Sequence, residues 1–266
     1  MKLFKYLIAL QFLLLLVYSG CESNDAVSTS VYIPQPVNKK VLVEFFTNSY
    51  CQPCVASHNY WDQVNAIGGL TLNDTSVIVL SYHAKSPNPA DSLYRSNIQQ
   101  NDARYNYYGV FTTGTPNNQI DGTYMGQFSA SNFTALVNAE FKNTRYMDVS
   151  LSNSFDGIDS GAVTANLKLL TALPTGDNVI HVIITENDIS YITAPNGVTH
   201  PDDVMRNMVT GSDGESISLT ANQTVVFSKN YRLLPKWKME DCYITVFVQS
   251  TSTKQVYGVE RIKISN

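Results

Sequence analysis

The stretch that decides the fold of the first half of the chain is Val41-Leu42-Val43-Glu44-Phe45-Phe46-Thr47-Asn48-Ser49-Tyr50-Cys51-Gln52-Pro53-Cys54. Its first six residues are mostly apolar and β-prone, as a buried parallel strand requires. After a short connection, two cysteines separated by two residues open a segment with helical periodicity. A strand, a short loop and a C-x-x-C at the start of a helix form a specific arrangement, which favours redox chemistry at the two cysteines.

The predicted position gives the two cysteines different tasks. Free backbone N–H groups and the helix dipole stabilise a thiolate at the first turn of a helix, so we expect a lowered pKa for Cys51. Cys54, about one turn further on, would resolve the mixed disulfide that Cys51 forms with a partner. Two alternatives remain: an inert disulfide in an oxidising compartment, and half of a zinc site, for which the sequence offers no second C-x-x-C.

The helix after the cysteines is predicted to run to about residue 67. Its apolar stripe consists of Ala56, Tyr60, Val64 and Ile67. His58 faces away from this stripe and is expected to face solvent. His83 follows a second predicted strand, at 76–82, and is expected to be a loop histidine rather than a metal ligand.

Residues 40–143 alternate strand and helix signals in a recognisable order. After the second strand come a helical pattern at 96–107, a hairpin at 117–125 with Asp121-Gly122 at its turn, and a last helix for which Ser131 is a plausible N-cap. The order β-α-β-α-β-β-α resembles that of the thioredoxin fold. The first half is therefore predicted to be an α/β thioredoxin-like domain.

The resemblance to thioredoxin-like proteins implies roles for residues outside the C-x-x-C. Pro116 is expected to be a cis-proline packed against the cysteines, and Thr115 would present its backbone to an extended substrate. Glu44 would correspond to the buried carboxylate that relays protons. The alternatives are a trans-proline at the start of a strand and a strand carboxylate whose hydrogen bonds are satisfied locally.

From about Tyr146 the period of the sequence changes to two. Apolar and polar residues alternate at 147–152 and 163–169, and further strand-like runs lie at 179–185, 215–228, 243–249 and 255–264. Residues 146–266 are therefore predicted to form a separate, mainly antiparallel β-sandwich domain, interrupted by one helix at about 201–209. Cys242 lies in one of these runs and is expected to be a buried free thiol.

The N-terminus indicates export. Lys2 and Lys5 precede a run of twelve residues, 6–17, that is apolar except for Gln11; as a helix it would rise only about 18 Å and is too short to span a membrane. Residues 1–20 are therefore predicted to be a signal peptide. Small residues immediately before Cys21 resemble the bacterial lipobox, so Cys21 is predicted to be lipidated, the alternative being ordinary cleavage near Gly20.

Residues 21–39 lack periodicity and are predicted to be a tether. The mature protein would thus sit in the cell envelope as a lipoprotein, periplasmic or surface-exposed.

Composition narrows the classes of partner. Of the 266 residues, 15% are charged and the formal net charge is −4, and no basic run is present. These values argue against a nucleic-acid partner. The predicted partners are thiols or disulfides of exported proteins or peptides, and the membrane through the lipid anchor. No cofactor or resident metal is predicted.

Three stretches carry a second resemblance. The first is 43–47 leading into the two cysteines, the second runs from 103 to 122, and the third comprises Glu186-Asn187-Asp188-Ile189, His200, Val204-Met205-Arg206-Asn207-Met208 and Gly214-Glu215. In these stretches the chain resembles lipoproteins related to the twenty-eight-kilodalton outer-membrane protein of anaerobic Gram-negative bacteria. That resemblance implies a thioredoxin-like domain followed by a β-rich domain, in a lipoprotein of the outer membrane.

Two functions of different classes follow. The leading hypothesis is an exported thiol–disulfide oxidoreductase that uses Cys51 and Cys54 on proteins or peptides, with the β domain as a docking module. The alternative is a non-catalytic surface lipoprotein that binds a partner through its β domain and keeps the thioredoxin-like domain as a scaffold. A copper- or zinc-handling protein is a third possibility.

Overall fold

The computed structural model describes residues 39–63, 76–126 and 128–265. All of them belong to one compact unit of the chain, which covers Pro34–Asn266. The predicted signal peptide, Cys21, most of the tether and the predicted end of the first helix, with Val64 and Ile67, lie outside the described residues. No helix within the described ranges is long and apolar enough to cross a membrane.

The described residues form twelve strands and four α-helices. The strands are β1 Val41–Thr47, β2 Val77–His83, β3 Asn117–Ile120, β4 Thr123–Tyr124, β5 Met147–Phe155, β6 Ser160–Leu169, β7 Asn178–Glu186, β8 Val204–Met208, β9 Glu215–Ser216, β10 Thr224–Arg232, β11 Cys242–Ser250 and β12 Val256–Lys263. The helices are α1 Cys54–Gln63, α2 Ser92–Ser96, α3 Ile98–Tyr107 and α4 Ala130–Glu140.

Nine of these strands form one mixed, mainly antiparallel sheet. Its order is β12-β11-β7-β8-β2-β1-β3-β4, and β9 pairs with β7 off this path. The β1–β2 pair is parallel and runs in register from Val41 beside Val77 to Thr47 beside His83. β8 joins the two halves of the sheet, because it pairs antiparallel with β7 and meets β2 in parallel where Ser81 lies beside Val204.

The smaller sheet, with strand order β10-β6-β5, lies in the second half of the chain. One apolar core contains residues of this sheet, such as Leu167, together with residues of β7 and β11 from the larger sheet, such as Val182 and Val246. Two sheets enclosing one core form a sandwich, as the alternation after Tyr146 predicted. The two sheets approach closely where Gly258 of β12 meets Met147 of β5. If Gly258 had a Cβ atom, that atom would lie only 2.4 Å from Cγ of Met147.

The first part of the larger sheet is covered on both faces. Val43 and Phe45 of β1 face a core that also contains Phe133 of α4 and both cysteines of the C-x-x-C. Leu42 and Phe46 face a different core, which includes Tyr105 of α3. Successive strand residues point to opposite faces, so each side chain of β1 belongs to one side or the other.

Pairing across the sheet corrects two expectations. Residues 201–209 were expected to contain a helix, but Val204–Met208 form strand β8, which lies between β7 and β2. The predicted boundary near residue 146 does not separate two sheets, because strands from both sides of it share the nine-stranded sheet. The halves also meet at the predicted Asp121-Gly122 turn, where the carbonyl of Asp121 accepts the N–H of Val256 at 3.0 Å.

Other expectations are confirmed with adjusted bounds. The predicted helix at 96–107 is present as α3, preceded by the short helix α2, and Asn97 between them caps α3 with its side chain. The hairpin is present as β3 and β4, and both turn residues have positive φ, as tight hairpin turns require. The last helix begins at Ala130, so Ser129 rather than Ser131 occupies the N-cap position.

Candidate functional site

Cys51 and Cys54 form a disulfide bond at the junction of β1 and α1. The sulfur atoms are 2.10 Å apart and the Cα atoms 5.3 Å apart. The chain turns after β1, where the N–H of Cys51 donates to the carbonyl of Asn48 at 2.9 Å, and α1 begins as the N–H of Cys54 donates to the carbonyl of Cys51 at 3.2 Å. Cys51 therefore lies just before the first turn of the helix, as its sequence context predicts.

The sulfur atoms are buried although the turn between them is exposed. Cys51 is 2% exposed and Cys54 is fully buried. Gln52 and Pro53, between them, are exposed to solvent. Disulfide exchange requires a partner sulfur to approach along the S–S axis, so access to Cys51 depends on whatever covers it.

The loop between β7 and β8 lies against this turn. The N–H of Asn196 donates to the carbonyl of Ser49 at 2.8 Å, and the Asn196 side-chain amide lies 3.5 Å from the carbonyl of Cys51. The side chain of Gln52 donates to the carbonyl of Pro195 at 3.2 Å. The contact could not be predicted from the sequence. Pro195-Asn196-Gly197 indicates a turn, but these residues do not reveal which distant segment the turn contacts.

Beneath the disulfide, α1 and β1 enclose a buried histidine. His58, one turn after Cys54, is 9% exposed, and its Nε2 lies 3.1 Å from Oγ1 of Thr47. Its ring meets Phe45 edge-on with centroids 5.0 Å apart. The expectation that His58 faces solvent is therefore wrong, because the buried face of α1 carries Cys54, Ser57, His58 and Trp61 while Ala56 is exposed.

His83 is also buried, as the last residue of β2 rather than a loop residue. Its Nδ1 lies 2.7 Å from Oδ2 of Asp91, which precedes α2. The same oxygen accepts the N–H of Ser49 at 2.8 Å, and the other carboxylate oxygen accepts the N–H of Leu93 at 2.9 Å. Asp91 thus connects His83 to the turn that carries Cys51.

Burial and hydrogen bonding set the charges of these groups. Burial lowers the pKa of His58 to about 3, with a further contribution from nearby His83, so His58 is neutral at physiological pH. Burial opposes ionisation of Asp91, but the His83 imidazole and the hydrogen bonds from His83, Ser49 and Leu93 outweigh it and lower the pKa of Asp91 to about 2. Asp91 is therefore a carboxylate.

The structure does not bring Glu44 to the cysteines. Its carboxylate accepts the Nε–H and Nη2–H of Arg104 at 2.6 and 2.8 Å, and the hydroxyl of Tyr108 at 2.5 Å. This cluster lies on the sheet face of Leu42 and Phe46, opposite the face that packs on Cys51 and Cys54. The predicted relay role is wrong for this position, and the alternative, a strand carboxylate with satisfied hydrogen bonds, describes it.

Arg104 completes the cluster and was not identified from the sequence. It also donates to Oε1 of Gln249 in β11 at 2.8 Å, and its guanidinium lies 4.6 Å from the ring centroid of Tyr107. Burial disfavours its charge, but Glu44 and Tyr108 beside it raise the pKa of Arg104 well above its ordinary value. Arg104 is therefore charged, and its hydrogen bonds tie β1 to α3 and β11.

The remaining predicted site residues lie in the loop before β3. The Thr115–Pro116 bond is cis, as predicted. The hydroxyl of Thr115 donates to the carbonyl of Ser86 at 3.3 Å, which holds this loop against the one that follows β2.

Cys242 is a free, fully buried thiol at the start of β11, as predicted. Burial raises the pKa of Cys242 to about 12, with Glu186 adding to the effect. Within the described ranges, no group of three or more His, Cys, Asp or Glu side chains is placed to hold a metal ion.

The fold is similar to that of known proteins. HBP35 of Porphyromonas gingivalis superposes with a TM-score of 0.71 at 15% sequence identity, over 85% of this chain and 75% of that chain. A domain of the outer membrane lipoprotein Omp28 from Porphyromonas gingivalis aligns at 20% identity over 46% of this chain and 91% of that chain, with a TM-score of 0.34.

β-Glucosidase 3B from Thermotoga neapolitana aligns at 12% identity over 46% of this chain and 16% of that chain, with a TM-score of 0.24. The two low scores carry no argument, and the similarity to HBP35 shows a shared fold alone. No model of a known protein family matches the chain, and no curated protein does either.

Proposed function

We propose that the protein is an exported, lipid-anchored thiol–disulfide oxidoreductase that acts on proteins or peptides through Cys51 and Cys54. The observation that carries this proposal is the disulfide at the junction of a buried strand and the first turn of a helix. Helix N–H groups at that position stabilise a thiolate on Cys51 after reduction. Cys54, fully buried, is the resolving cysteine.

The proposal includes a thioredoxin-like arrangement of residues 40–143. It is supported by the parallel β1–β2 pair, by the antiparallel β3 and β4 on the other side of β1, and by helices on both faces. The second half would then recognise or position the substrate. This role of the second half is supported by its loop at Pro195 and Asn196, which contacts the C-x-x-C turn.

The proposed location is the cell envelope, through lipidation of Cys21. The support comes from the sequence alone, from the short apolar run that ends in Gly20-Cys21. Replacing Cys21 with Ser should release the protein from the membrane fraction. Retention of the variant in that fraction would place the anchor elsewhere.

The reduction potential of the Cys51–Cys54 pair tests the proposed activity. Equilibration of the purified protein with a dithiol buffer of known potential gives this value. A catalytic pair lies above about −300 mV, within reach of its redox partners, whereas typical structural disulfides of exported proteins lie below it. A value well below that limit would contradict the proposal.

One observation favours the second candidate, a non-catalytic lipoprotein with a thioredoxin-like scaffold. The disulfide is almost fully covered, and part of that cover comes from the β7–β8 loop. A structural disulfide does not react with a partner, so its sulfur atoms need not be accessible. On this hypothesis the β-rich half carries the binding surface, and replacing either cysteine would lower stability by about 2–5 kcal/mol without loss of partner binding.

A further inference from the structure

We propose that His83, held by Asp91, exchanges protons with the reduced cysteine pair and so takes the part that sequence analysis gave to Glu44. The inference rests on the proposed oxidoreductase function and names the group that supplies its proton chemistry. His83 and Asp91 are both more than nine-tenths buried, and neither has a part in the Glu44–Arg104 cluster on the opposite face of the sheet.

The register of the sheet places His83 on the cysteine side. Val79 packs in the same core as Cys51 and Cys54, and His83 lies four residues further along β2, on the same face. His83 is also paired in register with Thr47, whose hydroxyl contacts His58 one turn after Cys54. His83 therefore lies at the end of the parallel strand pair, beside the β1 residue that contacts α1.

The second nitrogen of His83 is available for proton exchange. Nδ1 faces the carboxylate of Asp91, which orients the ring and assigns the proton to Nδ1 in the neutral form. Nε2 is buried and has no hydrogen-bond partner among the residues that the structure describes. A buried nitrogen left without a partner is costly for a structural histidine and is common at functional sites.

Within the part of the chain that the structure describes, two titratable side chains are linked to His83, namely Asp91 and His58. Asp91 approaches from the segment before α2, His58 from the buried face of α1, and the cysteine pair lies at the start of that helix. Asp91 is a carboxylate and His58 is neutral, as described above. A proton that leaves the cysteine pair therefore has one basic nitrogen oriented by a carboxylate to receive it.

The proposed step is a thiol–disulfide exchange coupled to one proton transfer. A thiolate of a partner dithiol attacks Sγ of Cys51, a new S–S bond forms, and the Cys51–Cys54 bond breaks with its electron pair on Sγ of Cys54. The imidazolium of His83 transfers its Nε2 proton to that sulfur. The second thiolate of the partner then releases Cys51, so the partner dithiol is oxidised and the pair is reduced. In the reverse direction neutral Nε2 removes the proton from Cys54, whose thiolate attacks the mixed disulfide.

Nuclear magnetic resonance of the ¹⁵N-histidine-labelled full chain tests the coupling without any substitution. The pH at which the side-chain nitrogens of His83 titrate is measured in the oxidised and the reduced protein. A thiolate in the reduced pair stabilises the imidazolium, so we expect this pH to be higher in the reduced form. Identical titration of His83 in both forms would overturn the proposal.

Kinetics of disulfide formation supply the second test. The reduced protein is mixed with glutathione disulfide, and closure of the Cys51–Cys54 bond is followed between pH 5 and 10. We expect His83→Gln to slow closure by roughly 10²-fold at pH 7, the lower end for general acid–base catalysis, and to approach the wild-type rate near pH 9–10, where thiols ionise unaided. His58→Gln, a buried control, and His200→Gln, an exposed control, should remain within about twofold of the wild type.

Two kinetic outcomes would overturn the proposal. In one, the pH profile of the closure rate is the same for His83→Gln and the wild type; in the other, the closure rate at pH 7 falls in His58→Gln and not in His83→Gln. If His83→Gln fails to fold, the wild-type titration decides. Failure of the proposed function would be recognised separately, as absence of exchange between the wild-type protein and any protein disulfide, whatever the titration of His83 shows.

Discussion

The backbone N–H of Asn196 donates to the carbonyl of Ser49 at a distance of 2.8 Å. Ser49 lies two residues before Cys51 in the sequence. The contact joins the loop between β7 and β8 to the turn that carries the disulfide. Asn196 and Cys51 are 145 residues apart in the sequence. The two halves of the sequence therefore meet at the cysteine pair. We therefore expect this loop to influence access to Cys51.

Loosening that loop should make the disulfide easier to reduce. Asn196→Ala removes the side-chain contacts with the carbonyls of Asn48 and Cys51 and leaves the backbone contact with Ser49 in place. A hydrogen bond contributes about 1 kcal/mol, so we expect reduction by dithiothreitol to be about fivefold faster. Asn143→Ala, which changes an exposed amide far along the sequence, serves as the control. Equal rates in Asn196→Ala and the wild type would show that these contacts do not limit access.

The Glu44–Arg104 pair should matter for stability and not for thiol chemistry. Arg104→Met leaves the buried carboxylate of Glu44 without its partner, so we expect a loss of about 3–5 kcal/mol in the free energy of unfolding by urea. The control Arg232→Met breaks an exposed pair with Asp159 and should cost less than about 1 kcal/mol. If Arg104→Met were as mild as its control, the pair would not join the sheet to α3 and β11.

Glu44→Gln tests the corrected role of Glu44 directly. The amide cannot relay protons, but Glu44 lies on the opposite sheet face from the cysteines. We therefore expect the pH profile of disulfide closure to keep its shape in this variant, measured with glutathione disulfide. Slow closure at pH 7 that recovers near pH 9–10, as expected for His83→Gln, would restore Glu44 as the relay.

Acid should destabilise the protein through His58. Its pKa is about 3 in the folded state and about 6.5 in the unfolded chain, so the unfolded chain binds a proton that the folded protein excludes. The stabilisation is complete above pH 6.5 and is lost as the pH falls towards 3. At pH 5 the loss is about 2 kcal/mol relative to pH 7.

Urea unfolding at both pH values, for the wild type and for His58→Gln, measures this contribution. The variant lacks the titrating group, so its loss of stability between pH 7 and pH 5 should be smaller by about that amount. An equal loss in both proteins would mean that His58 is protonated in the folded state.

The local part of the fold was accessible from the sequence. Residues 41–46 are apolar except for Glu44, the C-x-x-C follows after four residues, and Asp121-Gly122 is a strong hairpin signal, so β1, α1 and the hairpin could be predicted from neighbouring residues alone. The alternation after Tyr146 likewise indicated the strands of the sandwich. Cys242 was correctly placed in a buried strand for the same reason.

The misassigned elements depend on distant partners. Val204–Met208 forms a strand because β7 and β2 pair with it, and no property of those five residues reveals either neighbour. The side of the sheet that faces α1 was also hidden, so the sequence could not tell that Glu44 points away from the cysteines. For His58, the stripe chosen for α1 was rotated, because Ser57 and His58 are polar residues on its buried face.

The contacts that matter most for chemistry are non-local as well. His83 shares a sheet face with the residues that pack on the cysteine pair because β1 and β2 are parallel and in register, and Asp91 links it to the cysteine turn through the N–H of Ser49. A strand that ends in a histidine, followed eight residues later by an aspartate, is a weak signal in itself. It gains meaning when the aspartate also binds the turn that carries Cys51.

The central claim, that Cys51 and Cys54 are a catalytic pair, is tested most directly by an asymmetric trapping measurement. Cys54→Ser and Cys51→Ser are expressed with residues 1–20 intact, and mixed disulfides with exported proteins are isolated from the cell envelope. We expect Cys54→Ser to capture partners through Cys51, because the resolving thiol is missing, and Cys51→Ser to capture none. Two variants that both trap nothing and lose stability equally would contradict the claim and identify the disulfide as structural.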